Sequence, residues 1–360
     1  MTTQGVSVIV PTYNRAALIG RAVQSALAQI REGDEIIVID DGSTDGTQQA
    51  LAPFRDLITY VHVPNGGAGK ARNRGLALAR NPLVAFLDSD DEWQPHKLDL
   101  QRTLMEARPD LVYCFSNFAH RDQSGQEQHD WITYWHGDGK RIEEVLGPGV
   151  PYSSLSPLAS EVADFPVHIG SMYLASLNAN YVFTSTLLVR REAASTALHF
   201  AEDLNILEDM VCYSRMAGRG PVAYLACETA WQHAHSGFRL TSAGDLARAT
   251  AMLSMLQRVW GSDPDFLARH GDLYAGVVRE QRLCRVRALL GLGRTAEARH
   301  DLRSLCGVPI LYTALSWLPG FFVYGLSTTR QMVRRSLRHN GRQKALLWKQ
   351  KVSNWNPTSR

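Results

Sequence analysis

Short apolar runs recur along the first hundred residues: Val6 to Val10 (VSVIV), Glu35 to Asp40 (EIIVID), Leu57 to Val63 (LITYVHV) and Leu83 to Asp88 (LVAFLD). Each is too short for a helix, rich in β-branched residues and largely apolar on both faces. That is the pattern of parallel strands covered by helices on either side. Between them, Ala16 to Gln29, Thr44 to Leu51 and Ala68 to Ala79 carry helical spacing, each preceded by Asn, Ser, Gly or Asp residues able to turn or cap the chain. The alternation predicts an α/β fold, a doubly wound, Rossmann-like sheet that binds its ligand beyond the carboxyl ends of the strands.

Regularity is lost from Ser116 to Ala179, where Gly, Pro, Ser and aromatic residues such as Trp131, Tyr134 and Trp135 accumulate. This stretch reads as an elaborated loop region over the site. A strand over Tyr181 to Val189, a helix starting near Asp209 and a strand around Val222 to Leu225 follow. From Ala243 to Leu305 the pattern is helical, and Leu292 to Leu302 has the form of half a helical repeat with no second copy. The chain therefore divides into an α/β part, 1–242, and a helical extension, 243–360.

Composition adds three constraints. With 45% hydrophobic and 20% charged residues the chain is an ordinary globular protein, so disorder is not its default state. Five scattered cysteines, Cys114, Cys212, Cys227, Cys284 and Cys306, form no CxxC pair, which argues for buried thiols over a zinc ribbon or a disulfide framework. The start, MTTQGVSVIVPTYN, lacks the basic and apolar regions of a secretory signal, so a cytoplasmic location is expected.

Charge is unevenly placed. Ten Lys and Arg and no acid follow Asp301, so the +3 of the whole chain leaves a net −7 on residues 1–301. Ser304 to Thr329 carries no charge and is followed at once by Arg330, Arg334, Arg335 and Arg338. Its length could span a bilayer, but Pro309, Pro319 and Gly320 interrupt it. Residues 304–351 are read instead as a peripheral attachment to the cytoplasmic face of an anionic membrane. Apolar helices docked on the rest of the chain or in a dimer interface are the alternative. No nucleic-acid-binding module is present.

Polar clusters stand at the predicted strand ends. Pro11-Thr12-Tyr13-Asn14 follows the first, Asp40-Asp41-Gly42-Ser43 the second and Asp88-Ser89-Asp90-Asp91 the fourth. Carboxylates two residues apart, as in Asp88 and Asp90, can share Mg²⁺ or Mn²⁺ with a substrate diphosphate; alone, the same residues also make an Asp-rich turn. Asp40 and Asp41 can accept from a base N–H and a ribose hydroxyl, or simply cap a helix. Asn65 to Asn73 opens a helix with glycines and the cations Lys70 and Arg72, a chemistry suited to phosphate. It is not a Walker A loop, because Pro64 and Ala71 stand at required positions, and no GxGxxG follows the first strand.

VSVIVPTYNR, the Asp40 to Ser43 turn, the glycine loop with Ala71-Arg72-Asn73 and Asp88 to Asp91 together resemble the inverting family-2 glycosyltransferases of glycosyltransferase-A fold. The resemblance continues in Thr184 to Arg191, in Glu208-Asp209-Met210 with Arg215 six residues after the aspartate, and in Trp231-Gln232-His233-Ala234-His235-Ser236-Gly237. It implies a nucleotide-sugar half at 1–115 and an acceptor half at 116–242. Pro11, Tyr13, Asn14, Asp41, Lys70, Arg72, Asp88 and Ser89 would line the nucleotide-sugar site. Asp90 and His235 would hold Mg²⁺ or Mn²⁺, and Asp209 would be the catalytic base.

His233 is a competing metal ligand two positions earlier, Phe238 departs from the usual polar residue, and Glu202-Asp203 is a second acidic pair ahead of the base. The resemblance further implies a nucleoside-diphosphate sugar donor and a glycan or lipid-linked acceptor, in cell-envelope or surface polysaccharide synthesis. A sugar nucleotidyltransferase is the alternative enzyme, although its basic N-terminal triphosphate loop is missing. A catalytically inactive nucleotide-sugar-binding protein is the third reading.

Overall fold

In the computed structural model, which describes residues 4–135, 139–236, 244–303, 305, 308 and 310–324, the four apolar runs form β1 (Val6–Thr12), β2 (Glu35–Asp40), β3 (Thr59–His62) and β4 (Leu83–Phe86). All four are parallel, with β1 between β2 and β4. Every residue of β1 and β4 is buried, which is why both faces of these runs are apolar. The intervening helices, Ile19–Leu27 and Ala68–Leu78, are shorter than their apolar patterns, and Thr47–Ala50 is a single turn. Gly75 lets the Ala68–Leu78 helix press against β1: a Cβ there would lie 2.4 Å from Ile9 Cγ2.

Beyond β4 the sheet becomes mixed. It gains β5 (Asp91–Trp93), β6 (Tyr113–Arg121), β7 (Glu127–Gln128), β8 (Val150–Pro151), β9 (Pro166–Gly170), β10 (Leu188–Arg190) and β11 (Val222–His233). The spatial order is β3-β2-β1-β4-β10-β6-β11-β9-β8, with β5 on β11 and β7 on β6. Strand β10 runs antiparallel to β4 and β6, while β6 and β11 are parallel. The strand around Val222 thus continues eight residues past Leu225. Register shifts within it carry its end to β5, beside the aspartates that follow β4.

Two expectations change. Tyr181 to Val189 is not a strand: a 3₁₀ turn, Thr184–Thr186, precedes the short β10. All nine of its residues are buried, which explains the apolar residues on both sides of Thr184-Ser185-Thr186 without a strand. The segment from Ser116 to Ala179 is more ordered than a loop, because it contains most of β6, then β7, β8, β9 and short helices at Ile132–Trp135 and Ile142–Leu146.

Contacts divide the chain into two units. The first holds residues 1–243 and 254–274, the second residues 244–253 and 275–360. In the first, Tyr173 packs on Trp260 and Phe266, and its hydroxyl donates to Asp263 at 2.9 Å. The second has a small core of Val286, Leu289, Leu290, Ala298 and Val323. No helix of the described residues is long and apolar enough to cross a membrane. Cys114, Cys212, Cys227 and Cys284 are free thiols, while Gly237, Phe238, Cys306 and most of 304–351 lie outside the described residues.

Candidate active site

The loops after β1, β2 and β3 are stitched together by their own polar side chains. Asn14 adopts a left-handed backbone, φ 51°, which Asn tolerates better than most residues. Its N–H donates to Ser43 Oγ at 2.9 Å, and its Oδ1 accepts from Thr44 N at 2.8 Å. Asp40 accepts from Ser43 N and from the Tyr60 hydroxyl. The two Asp41 carboxylate oxygens accept the Gly66 and Gly67 N–H groups, each at 2.8 Å, so this buried aspartate shapes the glycine loop. Pro11 is buried in β1, Tyr13 is exposed beyond it, and Lys70 is exposed in the first turn of the following helix.

Arg72, on the same helix, reaches inward. Only 5% exposed, it donates to Asp88 Oδ1 at 2.8 Å and to Glu208 Oε1 at 2.9 Å. It thereby ties the end of β4 to the Glu208–Ala217 helix, 136 residues away in sequence. Leu207, at the entry to that helix, has φ 63°, a conformation costly for a residue with a Cβ. Asp209 follows in the first turn. Loss of solvent and the neighbouring Glu208 carboxylate, partly offset by Arg72, push its pKa up to about 7.

The competing acids lie elsewhere. Exposed Asp203 pairs with Arg258, and Glu202 accepts from Asn73. Asp209 therefore shares a cluster with Arg72, Glu208 and Asp88 that Asp203 does not join.

Next along the strand ends, Asp90 Oδ2 lies 2.7 Å from His235 Nε2, with an Arg15 nitrogen at 3.8 Å. His233 instead pairs with Glu92, at 2.9 Å, and Arg21 approaches the same carboxylate at 3.7 Å. The two histidines thus face different acids. Ser89 is buried, and Ser185 Oγ accepts the Asp88 N–H while donating to Asp91.

The Asp90–His235 pair suits a small divalent cation. Two ligands at right angles about 2.1 Å from an ion stand about 3 Å apart, close to the 2.7 Å between Asp90 Oδ2 and His235 Nε2. Among the described residues no group of three or more His, Cys, Asp or Glu is placed to hold a metal ion. A cation here would take its other ligands from phosphate and water, as Mg²⁺ usually does.

Sequence reasoning missed Arg15, Glu208, Asp91 and Ser185. Arg15 and Glu208 stood inside recognised motifs, adjacent to Asn14 and Asp209. Ser185 carried no separate signal, since its role depends on a turn hidden in an apolar run.

Residues 7–156 match the sequence profile of glycosyl transferase family 2. An uncharacterized glycosyltransferase of Nostoc sp. is 43% identical over 97 residues, 26% of this chain and 30% of its own length. The putative teichuronic acid biosynthesis glycosyltransferase TuaG of Bacillus subtilis is 40% identical over 124 residues, 33% of this chain and 49% of its own. The chain thus spans less than half the length of these curated relatives. Among solved structures, S. aureus TarS 1–349 in complex with UDP-GlcNAc superposes with a TM-score of 0.52 at 19% identity, over 92% of each chain. Residues 7–156 thus carry the glycosyl transferase family 2 profile, and the mixed sheet with flanking helices is the glycosyltransferase-A fold.

Proposed function

We propose that residues 1–242 transfer a sugar, with inversion, from a nucleoside-diphosphate sugar to an acceptor hydroxyl of a glycan or lipid-linked saccharide in surface polysaccharide synthesis. The observation that carries this reading is the placement of Asp88, Asp90 and His235 beside the strand ends, with Arg72 buried between Asp88 and Glu208, the residue that precedes Asp209. The teichuronic acid role printed for TuaG and the nucleotide sugar bound by TarS are in keeping with it.

In this reading the loops carrying Pro11, Tyr13, Asn14 and Asp41 receive the nucleoside, and Lys70, Arg72, Asp88 and Ser89 border its diphosphate sugar. Asp90 and His235 would hold Mg²⁺ or Mn²⁺, which when bound offsets charge on the departing diphosphate. Asp209 takes the proton of the acceptor hydroxyl as that oxygen attacks the face opposite the leaving group. A base with a pKa near 7 suits this task at neutral pH. One displacement inverts the anomeric centre, and no covalent enzyme intermediate forms.

The test is calorimetric titration of a nucleotide-sugar panel with Mn²⁺ into the wild type, His235→Ala and His233→Ala, with product analysis. Metal-dependent affinity should fall about tenfold or more in His235→Ala and hold in His233→Ala. No binding of any nucleotide sugar, or release of pyrophosphate in place of nucleoside diphosphate, would overturn the reading.

We further propose peripheral membrane contact through the C-terminal segment. Half of the large apolar side chains exposed among the described residues lie between Ile310 and Tyr324, including Trp317, Phe321 and Phe322. Nine of the ten cations that follow Asp301 come after Tyr324 in sequence.

A further inference from the structure

We infer that the segment following β7, a loop and the short helix Ile132–Trp135 with Trp131 and Tyr134 at its surface, is the platform on which a saccharide ring of the acceptor stacks. The inference rests on the transferase reading and adds to it where the acceptor lies and what recognises it.

Register puts this loop at the site. At the ends of the parallel β6 and β11, His120 faces Gln232 and Arg121 faces His233, while Gln232 also faces Asp91 of β5, the neighbour of Asp90. His120 Nδ1 lies 3.1 Å from Gln232 Oε1, and the His120 ring stacks under Trp131 with centroids 4.6 Å apart and planes 17° from parallel. On the side of the base, Trp135 packs against Phe118 and Phe183. Phe183 precedes Thr184, whose hydroxyl is 2.9 Å from that of Tyr213, one helical turn after Asp209. The aromatic loop therefore sits between the strand ends bearing the metal-binding pair and the helix bearing the base.

The loop is held rigidly in a costly shape. Asp130 has a left-handed backbone, φ 52°. Asn117, 7% exposed, donates to Asp130 Oδ1 at 2.7 Å and accepts the N–H groups of Phe118 and Ile132. The Glu228 carboxylate accepts from Asp130 N at 2.7 Å and pairs with His129 at 2.8 Å. Two polar side chains from β6 and β11 thus fix a loop whose core contribution is chiefly Ile132 and the partly buried Trp131 and Trp135. Such support is what a preorganised recognition element requires.

What the loop presents to solvent is aromatic. Tyr134 is 71% exposed and its ring leans on Trp131, with centroids 5.5 Å apart. A flat π surface carries negative charge on its face and attracts the polarised C–H groups on one side of a pyranose. The sugar's hydroxyls, projecting at its edge, meet the polar rim of Asp130 and Thr133. The donor nucleotide is assigned elsewhere in this reading, its diphosphate beside a cation that Asp90 and His235 would hold.

The test uses an array of bacterial surface glycans probed with labelled full-length protein in the presence of Mn²⁺ and UDP. Wild type should retain a subset of glycans. Tyr134→Ala and Trp131→Ala should each lose that signal by about tenfold or more, and Tyr134→Phe should keep it. With the best-retained glycan as acceptor, Tyr134→Ala should raise its KM and leave kcat nearly unchanged. Calorimetric nucleotide-sugar affinity, measured on the same samples, separates the two ideas. If donor binding is intact but wild type retains no glycan, or Tyr134→Ala retains the wild-type set at equal strength, the platform is wrong and the transferase reading stands. If the wild type binds no nucleotide sugar, the transferase reading fails, and the platform assignment fails with it.

Discussion

Replacing Asp209 by Asn should stabilise the protein at neutral pH while destroying transfer. The folded state raises the Asp209 pKa from 3.8 to about 7, chiefly by desolvation and then by the Glu208 carboxylate. In the unfolded chain the group ionises at its ordinary value. Between about pH 4 and 7 the folded state therefore binds the extra proton, and stability falls as pH rises. The fall is at most about 1.4 kcal/mol per pH unit and reaches an upper limit of about 4 kcal/mol above pH 7. Asn keeps the shape of the side chain and does not titrate. The stability gap between Asp209→Asn and wild type should widen from pH 5 to 7 and level off beyond it. Urea unfolding of both proteins without nucleotide or metal, at half-unit steps from pH 5 to 8.5, measures that gap with the titrations of distant groups cancelled. Single-turnover transfer by the same variant should drop about 10²- to 10⁴-fold with saturating donor. A gap that stays constant or narrows with pH would refute the electrostatic reasoning, and near-normal transfer would put the base on another carboxylate.

Two further outcomes are expected. Arg72→Gln leaves Asp88 and Glu208 without their cation and should destabilise the fold by about 3–5 kcal/mol in urea unfolding; a loss under 1 kcal/mol would show that the three groups are not coupled. Full-length protein should float with vesicles of 30% phosphatidylglycerol at low salt, and truncation after residue 303 should abolish flotation. Equal flotation of the truncated protein would remove the segment from membrane attachment.

The sequence was most informative where local pattern and tertiary burial coincide. β1, β2 and β4 were legible because strands buried on both faces have nowhere to place a polar side chain, and the clusters following them had to fall on one edge of the sheet. The same logic misled at Tyr181 to Val189, where complete burial made a 3₁₀ turn look like a strand. Lys97 was illegible for the opposite reason. It is a charged residue in sequence, yet it is fully buried over the Trp93 ring, and its Nζ reaches Gln101 Oε1 at 2.6 Å. Neither partner has a signature that a linear pattern could reveal.

At the site, the choices left open by spacing depend on partners far away in the chain. His233 and His235 stand two residues apart and are chemically identical, but one meets Glu92 and the other Asp90, a distinction made by the shifted register of β11 against β6 and its pairing with β5. Asp203 and Asp209 are likewise both preceded by glutamate. Arg258, 55 residues on, pairs with the first. The second follows Glu208, whose hydrogen bond to Arg72 leaves Asp209 close enough to feel that cation while it accepts the Met210 amide. A full ion pair with Arg72 would make Asp209 a permanently charged, weak base. Complete isolation would keep it protonated at neutral pH. Sharing the cation with two neighbouring carboxylates places Asp209 between these limits, as the proposed role of base requires.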